Sequence, residues 1–340
     1  MEQSVWLAAA LEGVHALNRA PGMEVVRDVC GLQAQFSRNP PLALRLRASD
    51  YDPARWSDGL VKVWAQRGTI HVVRADELGL FLSAAGQGGA FRDGWWGMTA
   101  AQQEAWAPFL EEQIAHGNDT RDGLKRACRA HGMDEALLRC AFHGWGGLIK
   151  ELAWRGRIVC SPGTEKRYSI PGRIEWLDRD DARRALIRRY FFTFGPATPR
   201  DCAAFFGWPW REMKPLFDEI LPELRWADLG GVRYWHGRPL EARAEIPPCV
   251  LLPGFDSLVM AYRDRTRLID PVHARKLVNA AGIVFPAVLL RGRVRARWKL
   301  EGGKISIVPF ERLLKKDAVA IRRASRQSLG VADVAVEENG

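Results

Sequence analysis

An α+β fold of tandem winged-helix (helix-turn-helix) domains, ending in a small β-sheet or β-barrel, is predicted by three observations. Two stretches read as helices followed by a two-stranded hairpin, one closing near Ile170 and one near His236. The chain is β-rich after Ile246. Within that last segment Arg291, Arg293, Arg295, Arg297 and Lys299 fall at every second position, which on a strand is one face.

The first 85 residues read as mainly helical. Apolar periodicity runs through Val5–Leu17 and Val25–Phe36, breaks at Asn39-Pro40-Pro41, and resumes from about Pro53 to Trp64. Thr69–Val73 is a β-rich run and Ala75–Ala84 returns to helix. A second domain, 86–176, opens on the glycine-rich stretch Gly86–Gly97. Its helices are expected at Asp122–Ala130, Glu135–Ala141 and Gly147–Trp154, with the strand pair Arg157–Cys160 and Lys166–Ile170 as the wing. The third, 177–245, has helices at Ala182–Phe194, after Thr198-Pro199, and at Trp210–Ile220. Its hairpin turns at Gly230-Gly231, with Trp226 opposite Tyr234, and Pro215 should kink its last helix. The fourth, 246–340, holds Val250–Leu252, Ala287–Leu290, a basic hairpin turning at Gly302-Gly303, a helix over Phe310–Ala324 and a loose tail from Val331.

Charge points to a polyanion. The chain carries a formal +10, and Arg291–Arg326 holds twelve Lys/Arg against three Asp/Glu, so nearly all of the excess sits there. Same-face side chains of a strand are roughly 6.6 Å apart, near the roughly 7 Å between phosphates of a nucleic-acid strand. The competing explanation is an edge strand kept soluble by charge.

With 340 residues, 47% of them hydrophobic, the chain can bury several cores. No apolar run approaches a membrane span, and Met1–Gly13, apolar but for Glu2 and Glu12, has no basic n-region or cleavage site, so a cytoplasmic protein is expected. Six scattered cysteines without a CxxC pair read as reduced core thiols. Seven histidines show no metal-ligand spacing, and there is no Walker loop, GxGxxG or GxSxG. No metal and no cofactor are expected.

Three short segments remain. They are Gly31-Leu32-Gln33-Ala34-Gln35, expected at the end of a helix, Arg67-Gly68-Thr69-Ile70-His71, and Leu251-Leu252-Pro253-Gly254-Phe255-Asp256, the last followed by Arg263 and Arg265. In that order, over nearly the full chain, they resemble the AlkZ/YcaQ-type winged-helix DNA glycosylases, which remove alkylated purines and unhook interstrand crosslinks. The resemblance implies three tandem winged helices and a C-terminal β-barrel around a basic channel. It also implies that the QxQ residues Gln33 and Gln35 are catalytic, that Arg67, Thr69, His71 and Asp256 support them, and that double-stranded DNA carrying alkylated purines is the substrate.

Two amides suit such a substrate. An N3- or N7-alkylated purine is cationic and leaves without a strong acid, so the enzyme need only hold water at C1′ and stabilise an oxocarbenium-like sugar. No lysine other than Lys62 stands near the motifs as a Schiff-base nucleophile, which suggests a monofunctional enzyme. His71 either touches sugar or phosphate or closes a strand end. Asp256 is expected to pair with Arg263 or Arg265, and these two arginines join Arg291, Arg293, Arg295, Arg297 and Lys299 as DNA contacts. Trp95 and Trp96 either stack on DNA or pack locally. The protein is expected to work as a monomer near the nucleoid. The alternatives are a non-enzymatic winged-helix regulator, which would bind palindromes through Trp210–Ile220 and ignore the glutamines, and a scaffold for acidic proteins.

Overall fold

The computed structural model describes residues 1–240 and 245–337. The chain forms two units, Met1–Trp56 with Arg184–Gly340, and Ser57–Arg183.

The first unit opens with α1 (Gln3–Gly13), α2 (Gly22–Asp28), the two-residue β1 (Leu32–Gln33) and α3 (Asn39–Arg47). Asn39-Pro40-Pro41 does not break a helix but starts one. Proline in the first turn lacks only an N–H that would be unpaired there anyway. The helix expected over Val25–Phe36 ends at Asp28, because Cys30 (φ 58°) and Gly31 (φ 85°) both turn left-handed and send the chain into β1.

In the second unit, the helix expected from Pro53 to Trp64 is instead a turn followed by β2 (Leu60–Trp64), which pairs antiparallel with β3 (Ile70–Arg74). Alternation of Val61, Val63 and Trp64 with Lys62 did not distinguish the two periods. Next come α4 (Leu78–Ala84), α5 (Ala100–Ala115), α6 (Arg121–Ala130), α7 (Glu135–Ala141) and α8 (Gly147–Trp154), the last four in step with the sequence reading where it had one. Thr99, Thr120 and Asp134 cap α5, α6 and α7 through their side-chain oxygens. The wing strands are short, β4 (Val159–Cys160) and β5 (Tyr168–Ser169), and β4 also pairs with β2 at Lys62. Leu110, Leu124, Leu148, Leu152 and Trp96 form the core.

The chain returns through α9 (Arg179–Thr193), α10 (Pro199–Phe206) and α11 (Trp210–Ile220). Thr198 and Asp201 form a capping box and Gly207 closes α10 in the left-handed region, as the Thr-Pro-x-Asp and Gly signals predict. Pro215 leaves α11 in one piece, lying on its exposed side. Tyr190 and Tyr262 bury their rings and donate their hydroxyls to the carbonyls of Ala261 and Phe194 (2.6 and 2.7 Å), and Trp6 donates to Pro196 (2.8 Å). In the hairpin of β6 (Arg225–Leu229) and β7 (Val232–His236), Trp226 faces Trp235, one residue from the expected Tyr234.

The C-terminal strands β8 (Cys249–Leu252), β9 (Ala287–Leu290), β10 (Arg293–Glu301), β11 (Lys304–Pro309) and β12 (Val334–Val336) form one sheet in the order β12-β11-β10-β9-β8. No closing pair joins β8 to β12 among the described residues, so the segment is the sheet of the two expected forms and not the barrel. The short helices α12 (Ser257–Met260) and α13 (Ala274–Leu277) lie between β8 and β9, and α14 (Lys315–Leu329) packs on β8 and on α3. α14 starts five residues later than predicted. The tail expected to be loose supplies β12, parallel to β11. Its last residues, 338–340, and the stretch 241–244 at the third domain boundary lie outside the described residues.

Arg47, at the end of α3, and Asp256, at the start of α12, form an ion pair at 2% and 1% exposure. The other Asp256 oxygen caps α12 by accepting from Leu258 N–H (2.8 Å). The expected partners of Asp256 are therefore displaced. Arg263 donates its backbone N–H to Asp201, and Arg265 its Nε to the Val259 carbonyl. Arg47 Nε and Nη1 have no protein partner, so the pair is a costly one to break. Asp256→Asn should lower the unfolding free energy of the first unit by about 3–5 kcal/mol. Urea denaturation should show the Arg47→Met/Asp256→Leu double variant losing less than that single one.

Candidate active site

Gln33 ends β1 and Gln35 lies in the bend after it, so the short run that carries them is not helical. Exposure alternates along it, with Leu32 and Ala34 buried, Gln33 half-buried and Gln35 exposed. Both amides thus keep accessible surface, while Leu32 and Ala34 beside them are buried. The nearest carboxylate in sequence, Asp28, is already engaged. It accepts from His15 Nε2 (2.9 Å) and Arg27 Nε (2.8 Å). Burial opposes its charge, yet those two bonds outweigh burial and hold its pKa below the usual carboxylate value.

The segment after the glutamines is braced by the third motif, residue for residue. A Cβ on Gly254 would come within 3.1 Å of Asn39 Oδ1, so the backbone there runs tight against the start of α3. Phe255, held at φ 53°, sets its ring 5.9 Å from Phe36, the residue following Gln35. Asp256 reaches Arg47 at the far end of α3. Sequence reading found this motif but missed Arg47, Asn39 and Phe36, since nothing in the chain's order signals contacts across some 209 residues.

Arg67, Thr69 and His71 belong to the second unit, in the turn between β2 and β3 and at the start of β3. Arg67 takes φ 57° and Gly68 φ 65° to close the turn. His71 is 2% exposed. Its Nδ1 lies 3.0 Å from the Thr69 carbonyl, which can only accept, so Nδ1 carries the proton and Nε2, 3.4 Å from Arg67 Nη2, is left as an acceptor. Burial, reinforced by the Arg67 charge, pushes the His71 pKa down to about 3. The ring is neutral at physiological pH and is no acid there. Lys62 is buried on β2 with Nζ on the Gly163 carbonyl (3.1 Å), and burial lowers its pKa.

The basic strand keeps its predicted alternation, with Val294, Ala296 and Trp298 buried and Arg293, Arg295 and Lys299 exposed. Three features bear on its expected role. β10 lies mid-sheet between β9 and β11, so it is not a charged edge. Arg291 falls in the β9–β10 turn, with φ 45° followed by Gly292 at 85°, and not on the strand face. Carboxylates also meet three of the five cations, with Asp317 on Arg291, Glu311 on Arg295 and Glu301 3.5 Å from Lys299. Arg297 lies over the Phe285 ring (4.7 Å) and Arg293 donates to the Thr266 carbonyl. A cavity of about 440 Å³ opens beside Arg297 and Lys299, with Arg38, Asn39 and Phe285 in its wall.

A sequence profile of AlkZ-like DNA glycosylases matches residues 26–330. The chain belongs to that family. As an AlkZ-like DNA glycosylase it is an enzyme acting on N-glycosyl bonds, and the regulator and scaffold readings give way. It is 28% identical over 337 residues to an interstrand DNA cross-link repair glycosylase of Streptomyces sahachiroi, covering 89% of this chain and 90% of that one. Its structure is similar to that of the Streptomyces sahachiroi DNA glycosylase AlkZ, with a TM-score of 0.79, 25% identity and 99% of each chain covered.

The neutral His71 of this glycosylase ties stability to pH. Its folded pKa lies below its unfolded one, so its stabilisation is complete above about pH 6.5 and is lost as pH falls toward 3, by about 1.4 kcal/mol per pH unit. Melting temperature should fall across that window less steeply for His71→Gln than for the wild type.

Proposed function

We propose that this glycosylase is monofunctional and hydrolyses the N-glycosidic bond of N3- and N7-alkylated purines in double-stranded DNA. Gln33 and Gln35 hold the attacking water with their amide carbonyls and stabilise the oxocarbenium-like sugar. The observation that carries this reading is that both amides keep accessible surface on a short non-helical run whose nearest carboxylate in sequence is bound to His15 and Arg27. Neither amide titrates and neither protonates a leaving group, so a base that already carries a positive charge is the substrate that needs nothing more.

Asp256 acts through Arg47 to brace the segment after Gln35, and Arg67 and Thr69 hold His71 as a neutral acceptor. The buried Lys62, bound to a carbonyl, supports a reaction without a Schiff base. The name of the Streptomyces relative extends the reading to interstrand crosslinks. We read the helix-and-hairpin stretches 86–176 and 177–245 as winged helices, with another in 1–85, and Arg263, Arg265 and the hairpin from Arg291 to Val308 as the grip on phosphate. No helix among the described residues is long and apolar enough to cross a membrane. A monomer acting in the cytoplasm on nucleoid DNA completes the proposal.

Duplex DNA with a single 7-methylguanine, incubated with enzyme and then treated with mild alkali, should break at the abasic site. The Gln33→Ala/Gln35→Ala variant should be slower by on the order of 10²-fold or more under single turnover. Release of uracil or hypoxanthine as fast as 7-methylguanine would sink the assignment of substrate.

Exposed ion pairs are worth only about 0–1 kcal/mol, so Glu311 and Glu301 should yield Arg295 and Lys299 to DNA, while Arg291, its side chain half exposed, can meet phosphate without leaving the buried Asp317. Five phosphate contacts then give a slope of about −4.5 for log K against log salt, where two would give about −1.8. Binding titrations across a salt series, on wild type and on an Arg293→Ala/Arg295→Ala/Arg297→Ala variant, read the difference.

A further inference from the structure

Among the described residues the two most exposed large hydrophobic side chains are Trp95, at 77%, and Trp145, at 78%. They are 50 residues apart in sequence, yet both meet His143. The Trp95 ring sits edge-on 5.1 Å from the imidazole, and the Trp145 backbone N–H donates to Nδ1 (3.2 Å).

The loops that carry them are clamped on one buried indole. Trp96 is 6% exposed within the core of the second unit. A Cβ on Gly94 would lie 2.4 Å from its ring and a Cβ on Gly146 2.5 Å, while one on Gly97 would lie 2.8 Å from Cys140 Sγ. The turn itself is closed by Gly94 N–H to the Met98 carbonyl and Gly97 N–H to the Gly94 carbonyl, both 2.8 Å. Glycines on either side of Trp96 thus let two backbones approach it, and the neighbouring tryptophans are turned outward on a fixed base. Ordering costs for a ligand are met in advance by such a base.

Cations border the loop that carries Trp145. Lys150 Nζ lies over Trp154 (4.4 Å) and reaches the Trp145 carbonyl (3.4 Å), and Arg121 and Lys125 lie over Phe142 (5.6 and 5.9 Å). From Arg121 to Arg155 there are seven Lys/Arg against four Asp/Glu. Exposed indoles among cations suit a ligand with flat aromatic faces and a negative backbone. Trp145 also immediately precedes α8 and its Gly146 cap, and in helix-turn-helix units the N-terminal residues of the third helix meet the bases.

We propose that Trp95 and Trp145 form a stacking platform for unpaired bases of the DNA substrate. This rests on the glycosylase reading only in that extruding a base leaves its neighbours unstacked.

The test measures binding of the full chain, by fluorescence anisotropy, to an unmodified paired duplex and to the same duplex with a two-nucleotide gap. Trp95→Ala/Trp145→Ala should weaken gapped DNA by about 10-fold per tryptophan and paired DNA by less than about 2-fold. Trp95→Phe/Trp145→Phe should recover most of the affinity, and gapped DNA should quench the tryptophan fluorescence of the wild type more than paired DNA does. Both side chains are exposed, so circular dichroism and melting temperature should match the wild type. Unchanged affinity for gapped DNA, or equal losses on both DNAs, overturns the platform. Base release from 7-methylguanine is read separately, so a lost platform and a lost glycosylase assignment are told apart.

Discussion

The buried pair between Arg47 and Asp256 is the constraint on which the first unit turns. Two charges removed from water cost several kcal/mol each, and they are kept only where geometry and added hydrogen bonds repay them. Here one carboxylate oxygen holds the guanidinium and the other caps α12, so one side chain fixes both the end of α3 and the start of the next helix. Phe255 and Gly254 are then held against Phe36 and Asn39. The glutamine run stands between a left-handed turn at Cys30-Gly31 and this brace, and gets its rigidity from both ends.

Electrostatics separates the two sets of candidate residues by kind. In the first unit Asp28, the carboxylate nearest the glutamines in sequence, is held by His15 and Arg27, and in the second unit His71 is kept uncharged by burial and by Arg67. Positive charge is gathered instead on a strand in the middle of a sheet, where neighbours on both sides fix the spacing of its side chains. An edge strand would solve solubility as well, but it would not fix the spacing of Arg293, Arg295, Arg297 and Lys299 from both sides.

Much of this was legible where local rules decide. Thr198, Asp201 and Gly207 bound α10, Gly302 and Gly303 (φ 55° and 77°) turn the basic hairpin, and Trp298 faces inward as its position in the alternation requires. The failures have physical causes. Pro53–Trp64 mixes helical and strand periods, and pairing with Ile70–Arg74 settles it as a strand. Cys30 adopts a glycine-like φ that no sequence rule assigns to cysteine, so the glutamines were set on a helix that ends before them. Arg47 and Arg267, the latter packed 4.3–5.2 Å from Trp6, Tyr234 and Tyr262, act through contacts distant in sequence and gave no signal.

The first unit is discontinuous, since Met1–Trp56 packs with residues that follow Arg183. During synthesis Ser57–Arg183 can condense as soon as it emerges, while α3 must wait for β8, α12 and α14 to be made. Until then Arg47 is a solvated cation and the glutamine run has no brace. Nascent and truncated chains therefore carry both amides without the scaffold that aligns them, and activity toward glycosidic bonds should arise only in the finished molecule.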